Sequence, residues 1–101
     1  MTDVQLETSE RNYLFAVSYS DEYLTQIEQA AHSFYRTRTF KNPQELLDVL
    51  HKQIPSALVV DAKLEGMSGI DMISKVRGFL SSDKLPIVYT HPVNRPDQAD
   101  E

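Results

Sequence analysis

The sequence predicts an α/β fold in which a parallel sheet carries helices on both faces. Short apolar runs, typical of strands that are buried on both faces, alternate with stretches whose apolar residues recur at helical spacing. Helix-start signals precede these stretches. The resulting order β-α-β-α-β-α-β implies right-handed crossovers, so the carboxyl ends of the strands share one edge of the sheet.

Length and composition predict one domain. The chain has 101 residues, of which 41% are hydrophobic, and this is enough for a single core. Residues 1–12 are polar without a hydrophobic period and are predicted to be a flexible lead-in. The domain is expected over residues 13–92, and the proline- and acid-containing residues 93–101 are expected to form a flexible tail.

Charge and cysteine content exclude several function classes. The formal net charge is −5 and the ten Lys and Arg residues are dispersed, which argues against nucleic-acid binding by this segment. There is no basic start before an apolar stretch and no apolar run long enough to cross a bilayer, so neither export nor membrane insertion is expected. The absence of cysteine removes disulfides and thiolate metal sites and fits a cytoplasmic location.

The first half of the chain predicts two strands around a helix. Tyr13–Val17 is a continuous apolar run that favours a buried strand. A helix follows, capped by Ser20 or Asp21. Residues 34–40 (FYRTRTF) predict a strand near a sheet edge, whose arginines either form a solvated edge or bind an acidic partner. The predicted apolar stripe of the helix consists of Tyr23, Leu24, Ile27, Ala30, Ala31 and Phe34.

The second half predicts two further helices and strands. Asn42, followed by Pro43, signals a helix start, and Leu46, Leu47, Val49 and Leu50 supply its buried face. Residues 57–60 (ALVV) form the clearest strand, which Asp61 terminates.

A third helix and a last strand complete the pattern. Ser68 and Asp71 resemble a capping pair, and residues 85–89 (LPIVY) predict the fourth strand. The stripe expected on the third helix consists of Ile70, Ile73, Val76 and Leu80.

Four polar side chains fall at the predicted carboxyl edge of the sheet, where ligands bind in such folds: Ser18, Tyr19, Asp61 and Thr90. A carboxylate at the end of a buried strand is held rigidly and is a potential nucleophile toward phosphorus. That reaction needs a divalent cation such as Mg²⁺, and the Thr90 hydroxyl would help to hold the transferred group. The alternative for Asp61 is a carboxylate that only caps its own loop, and for Thr90 an ordinary strand residue.

Residues 58–76 (LVVDAKLEGMSGIDMISKV) resemble the receiver domains of two-component response regulators, in their FixJ-like branch. The match lies in Asp61 closing an apolar strand, Leu64 three residues later, and the Gly-Met-Ser-Gly of residues 66–69. The resemblance implies a flavodoxin-like, CheY-like fold of three layers. It also implies that Asp61 is the phosphoacceptor, that Thr90 is the switch hydroxyl, and that a histidine kinase is the partner.

The sequence also departs from the family. Where the family has two adjacent acids that organise Mg²⁺, this chain has Ser18 and Tyr19, which leaves Asp61 as the metal ligand. Glu65 stands where the family usually has a proline, and no lysine matches the one that contacts the phosphoryl group. The chain also lacks a counterpart of the fifth strand, so the flank of the fourth strand is expected to pair with a second copy or another partner.

Three functions follow from these features, and none is an independent enzyme. The first is a signal-receiver domain of a phosphorelay, which regulates its output with or without phosphorylation. The second is a pseudo-receiver, a protein-interaction module in which Tyr19 fills the vacated metal pocket. The third is the regulatory part of a transcription factor whose DNA-binding portion lies elsewhere.

Overall fold

A computed structural model describes residues 12–91 of the chain. Apart from Asn12, the two segments predicted to be flexible lie outside this range. Position 92 of the predicted domain also lies outside it. The described elements follow the predicted order: β1 (Tyr13–Val17), α1 (Asp21–Ala31), β2 (Arg36–Phe40), α2 (Pro43–Leu50), β3 (Ala57–Asp61), α3 (Gly69–Arg77) and β4 (Ile87–Thr90). Within residues 12–91, no helix has the length and apolar character needed to span a membrane.

The four strands form one sheet in the order β2-β1-β3-β4, and every pairing is parallel. β1 lies between β2 and β3, with Val17 in register with both Phe40 and Val60. The chain therefore places β2 on one side of β1 and β3 on the other. This reversal of strand order opens a crevice at the carboxyl ends of β1 and β3, where binding sites of such folds lie.

Two hydrophobic clusters hold helices against the two faces of the sheet. On one face, α2 and α3 pack over the larger cluster, which includes Phe15, Leu46, Leu58 and Met72. On the other face, α1 packs over a smaller cluster of Leu14, Ala16, Leu24 and Val59. The predicted three-layer α/β architecture is confirmed.

The predicted helix starts are confirmed at all three helices. Ser20, Asn42 and Ser68 are the N-cap residues, and each side-chain oxygen accepts a hydrogen bond from a backbone N–H of the first turn. Pro43 occupies the first position of α2, where its missing N–H costs nothing. Ser20 is the cap of α1, and Asp21 is its first helical residue.

The predictions for residues 31–36 were wrong in one respect. Phe34 was expected on the buried stripe and in the next strand, but α1 ends at Ala31, β2 begins at Arg36, and Phe34 is 77% exposed. The backbone N–H groups of Phe34 and Tyr35 both bond to the Ala31 carbonyl at 2.9 Å. This tight turn ends the helix and directs Phe34 into solvent.

The apolar stripe of α3 and the bounds of β4 also differ from the prediction. Ile70 was expected to be buried but is 58% exposed, whereas Met72 and Val76 are fully buried. The reason is that Gly69 packs against β3 and fixes the rotation of the helix, so positions 72 and 76 face the sheet. β4 is Ile87–Thr90 and includes Thr90, whereas the prediction ended one residue earlier.

Candidate functional site

Asp61 is the last residue of β3, and its carboxylate is paired. The Ser18 hydroxyl donates a hydrogen bond of 2.7 Å to Asp61 Oδ2. Because Val17 is in register with Val60, the next residues of the two strands, Ser18 and Asp61, lie side by side on one face. Both side chains are buried, at 0% and 4% exposure. A buried carboxylate needs such a partner, because an unpaired charge is costly to desolvate.

The position of Ser18 is fixed from two further directions. Its hydroxyl oxygen accepts a hydrogen bond of 3.0 Å from the Ser20 N–H, and its own N–H donates to the Phe40 carbonyl at 3.1 Å. The Ser18 hydroxyl therefore accepts a hydrogen bond from the start of α1 and donates one to Asp61. The carboxylate is held by a neutral hydroxyl group.

Tyr19 does not fill the pocket beside Asp61, and the prediction that it does was wrong. Its side chain is 56% exposed, while its backbone N–H bonds to the Lys63 carbonyl at 3.2 Å. Successive residues of an extended chain point to opposite sides, so Ser18 faces the carboxylate and Tyr19 faces solvent. The residue that meets Asp61 is the serine.

Thr90 lies directly beside Asp61 on the neighbouring strand. The two residues are in register between β3 and β4, and the Ala62 N–H bonds to the Thr90 carbonyl at 2.9 Å. The Thr90 hydroxyl donates a long hydrogen bond of 3.4 Å to the Val60 carbonyl, which precedes Asp61 in β3. The predicted gathering of Ser18, Asp61 and Thr90 at one sheet edge is confirmed, while the switch role of Thr90 stays a prediction.

Gly69 has a steric role that the sequence reasoning missed. Its N–H bonds to the Ala62 carbonyl at 2.8 Å, which brings the start of α3 against the end of β3. A Cβ atom at this position would overlap the Asp61 carbonyl and come within 3.0 Å of the Tyr89 ring. Gly66 has a positive φ of 80° and supplies the turn. The Gly-Met-Ser-Gly segment was therefore the available signal, although the sequence analysis used it only as part of the receiver resemblance.

The first acid after Ser18, Asp21, is engaged by a surface lysine. Asp21 begins α1 and forms an exposed ion pair of 3.3 Å with Lys41. Within residues 12–91, no group of three or more His, Cys, Asp and Glu side chains is arranged to hold a metal ion. Mg²⁺ prefers carboxylate and other oxygen ligands in octahedral geometry. At the described sheet edge, Asp61 therefore offers such an ion one carboxylate, which is already bonded to the Ser18 hydroxyl.

Substituting Ser18 tests how much this pairing stabilises the fold. We expect Ser18→Ala to lower the free energy of unfolding by about 1–3 kcal/mol, because it leaves a buried carboxylate oxygen without its donor. Urea unfolding followed by circular dichroism measures the change. Ser74→Ala, at an exposed position of α3, is the control and should change stability by no more than about 0.5 kcal/mol. Equal effects of the two substitutions would contradict the stabilising role.

No family model matches the sequence, and no curated protein matches it. Solved structures do match. The Vibrio cholerae chemotaxis protein CheY4 has a TM-score of 0.71 at 18% identity, covering 87% of this chain and 74% of that one. The N-terminal domain of a response regulator receiver protein from Methanoculleus marisnigri JR1 has a TM-score of 0.70 at 19% identity, covering 87% and 73%.

A structure of adenylate cyclase from Rhodopirellula baltica also matches, with a TM-score of 0.66 at 13% identity and coverage of 89% and 82%. Most of the matched structures are receiver domains. Identities this low establish architecture and leave activity open. In the four parallel strands and three helices formed by residues 12–91, the chain has the flavodoxin-like fold of CheY-like receiver domains.

Proposed function

We propose that this chain is a signal-receiver module that acts through protein–protein contacts and accepts no phosphoryl group at Asp61. The observation that carries the proposal is the 2.7 Å hydrogen bond between the buried Ser18 hydroxyl and the Asp61 carboxylate. The receiver fold supports a signalling role, and the chemistry at Asp61 supports the absence of phosphotransfer.

Phosphoryl transfer to an aspartate depends on positioning and on neutralising the charge that gathers on the phosphoryl oxygens. Divalent cations usually provide that neutralisation, held by carboxylates near the nucleophile. Ser18 and the exposed Tyr19 provide no second carboxylate here. The proton of the Ser18 hydroxyl also occupies one oxygen of Asp61, which lowers its nucleophilicity. Attack on phosphorus therefore lacks a second carboxylate to hold its cation, and one oxygen of the nucleophile is engaged by the Ser18 hydroxyl.

The contact surface for a signalling partner would be the sheet edge around Asp61. Tyr19 and Tyr89 are 56% and 39% exposed there, and aromatic residues are enriched in protein interfaces. A partner that binds this edge would contact a surface of fixed shape, because Ser18 holds the Asp61 side chain in one position. The cytoplasmic location expected from the lack of cysteine stays a prediction, as does attachment to a DNA-binding portion.

The test is incubation with Mg²⁺ and acetyl phosphate, followed by intact-mass measurement. We expect no mass increase for the natural sequence. The Ser18→Asp variant places a second acid beside Asp61 and is expected to gain one phosphoryl group. The same variant with Asp61→Asn is the control and should gain none. A phosphoryl adduct on the natural sequence that disappears in Asp61→Asn would overturn the proposal.

A second candidate is a phosphorylated receiver whose donor is a histidine kinase. The register of Thr90 with Asp61 favours it, because a hydroxyl beside the acceptor would hold the transferred group. Under this function, the adduct forms on the natural sequence and Thr90→Ala changes its lifetime. The mass measurement therefore separates the two candidates.

A further inference from the structure

β4 is an edge strand whose outer side meets no strand among residues 12–91. The Leu58 N–H bonds to the Pro86 carbonyl at 3.0 Å, and the Ala62 N–H bonds to the Thr90 carbonyl at 2.9 Å. Because backbone groups alternate in direction along a strand, the N–H and C=O groups of Ile87 and Tyr89 face outward. β4 thus presents unpaired ladder positions to a further strand.

The side chains of β4 are apolar on both faces of the sheet. Val88 is in register with Val59 and lies on the face of the sheet that carries α1. Because α1 packs over β1 and β2, Val88 is 53% exposed. Tyr89 lies on the α3 side and is 39% exposed. The strand sequence IVYT contains no charged residue. Natural proteins usually protect a free edge with charges or prolines, and β4 has neither.

The opposite edge of the same sheet is protected. β2 carries the exposed side chains Arg36 and Arg38, and the Arg38 guanidinium lies 5.1 Å from the centre of the Phe40 ring. Like charges across paired strands are destabilising, so two β2 edges repel each other. The two edges therefore differ: one discourages strand addition and the other is suited to it.

We propose that β4 pairs antiparallel with β4 of a second copy of this chain, in a register centred on Val88. A two-fold axis perpendicular to the sheet preserves its faces, so Val88 lies opposite Val88 of the second copy on the α1 side. Ile87 then lies opposite Tyr89 of the second copy, and these are the residues whose outward backbone groups form hydrogen-bonded pairs. Every outward ladder group and every exposed apolar side chain of the strand gains a partner.

Three observations favour a second copy as the occupant. The strand is complementary to itself in this register, as an isologous interface requires. The arginines of β2 disfavour head-to-tail addition, so the assembly closes at two chains and one continuous sheet with β2 at both ends. Residues 92–101 include Pro92 and Pro96, and a proline has no N–H to donate to a β-ladder.

Sedimentation equilibrium across a dilution series tests the assembly. We expect the mass of two chains for the natural sequence and of one chain for Val88→Lys, because the substitution places two like charges opposite each other at the centre. Thr39→Lys, at an exposed position of β2, is the matched control and should keep the mass of two chains. A single-chain mass for the natural sequence at all concentrations overturns the proposal, as does a two-chain mass for folded Val88→Lys.

Disulfide formation tests the register without relying on a destabilising change. The chain has no cysteine, so a single introduced cysteine reports only on its own copy. Val88→Cys should form a disulfide-linked dimer on mild oxidation, since residues opposite each other at a non-hydrogen-bonded position bring their Cβ atoms close. Thr39→Cys should stay unlinked. Failure of Val88→Cys to link, or equal linking of both variants, overturns this register. Neither result depends on Asp61, so the phosphotransfer experiment is decided separately.

Discussion

Gly69→Ala is expected to lower the free energy of unfolding by about 3 kcal/mol or more, at the upper end of the cost of overpacking. The added Cβ would overlap the Asp61 carbonyl, which is backbone at the end of a central strand and has no room to move. It would also press on the Tyr89 ring at 3.0 Å. The start of α3 must then move away from β3 and lose the hydrogen bond from its N–H to Ala62.

The sign of this effect separates packing from helix propensity. Gly69 is the first residue of α3, and helix propensity alone predicts that alanine is more stable there than glycine. Gly66→Ala is the control, because its Cβ would meet nothing within 4 Å and only the positive φ penalises it. That penalty is about 1–2 kcal/mol. Urea unfolding of both variants measures the two losses of stability. A Gly69→Ala protein as stable as the natural one would show that Gly69 does not lie against the Asp61 carbonyl.

Phe15→Ala is expected to destabilise the fold by about 3–5 kcal/mol, as removal of a buried phenylalanine usually does. Phe15 lies at the centre of β1, is 0% exposed and packs its ring 5.4 Å from that of Phe40. The larger cluster joins α2 and α3 to the sheet through this residue. A cavity there is enclosed by strands on both sides, so relaxation recovers little of the loss.

Phe34→Ala provides the matched control for the same chemical change. Phe34 is 77% exposed beyond the end of α1, so the substitution should alter stability by no more than about 0.5 kcal/mol. Denaturant unfolding of the two alanine variants measures the difference. Similar losses from both substitutions would mean that Phe34 is buried, as the helical spacing alone predicted, and that the turn after Ala31 is misplaced.

Local signals predicted the elements well. Ser20, Asn42 and Ser68 begin the three helices because a side-chain oxygen that satisfies a free N–H is a property of a few adjacent residues. The strands β1 and β3 were also predicted from their continuous apolar runs, since central parallel strands are buried on both faces. The gathering of Ser18, Asp61 and Thr90 followed from the parallel order alone.

Rotation and side-chain direction were predicted less well. Ile70 and Phe34 both satisfy a helical period, but the buried face of α3 is set by the contact of Gly69 with β3, and α1 stops one turn before Phe34. Tyr19 was assigned to the pocket because it stands at one of the two positions where the family has its metal-organising acids. In an extended backbone, neighbouring side chains point to opposite sides, so only one of the two residues can point into the pocket.

By itself, the sequence determined the fold class, the helix starts and the sheet edge at which Asp61 lies, because each depends on residues near one another in the chain. Only the tertiary structure decided what Asp61 meets. Ser18 is 43 positions away, and its hydroxyl reaches the carboxylate because β1 and β3 are neighbours in register. Among residues 12–91, the strand order also places β4 at the edge of the sheet. Contacts between strands distant in the chain follow from sheet order, which local patterns do not encode.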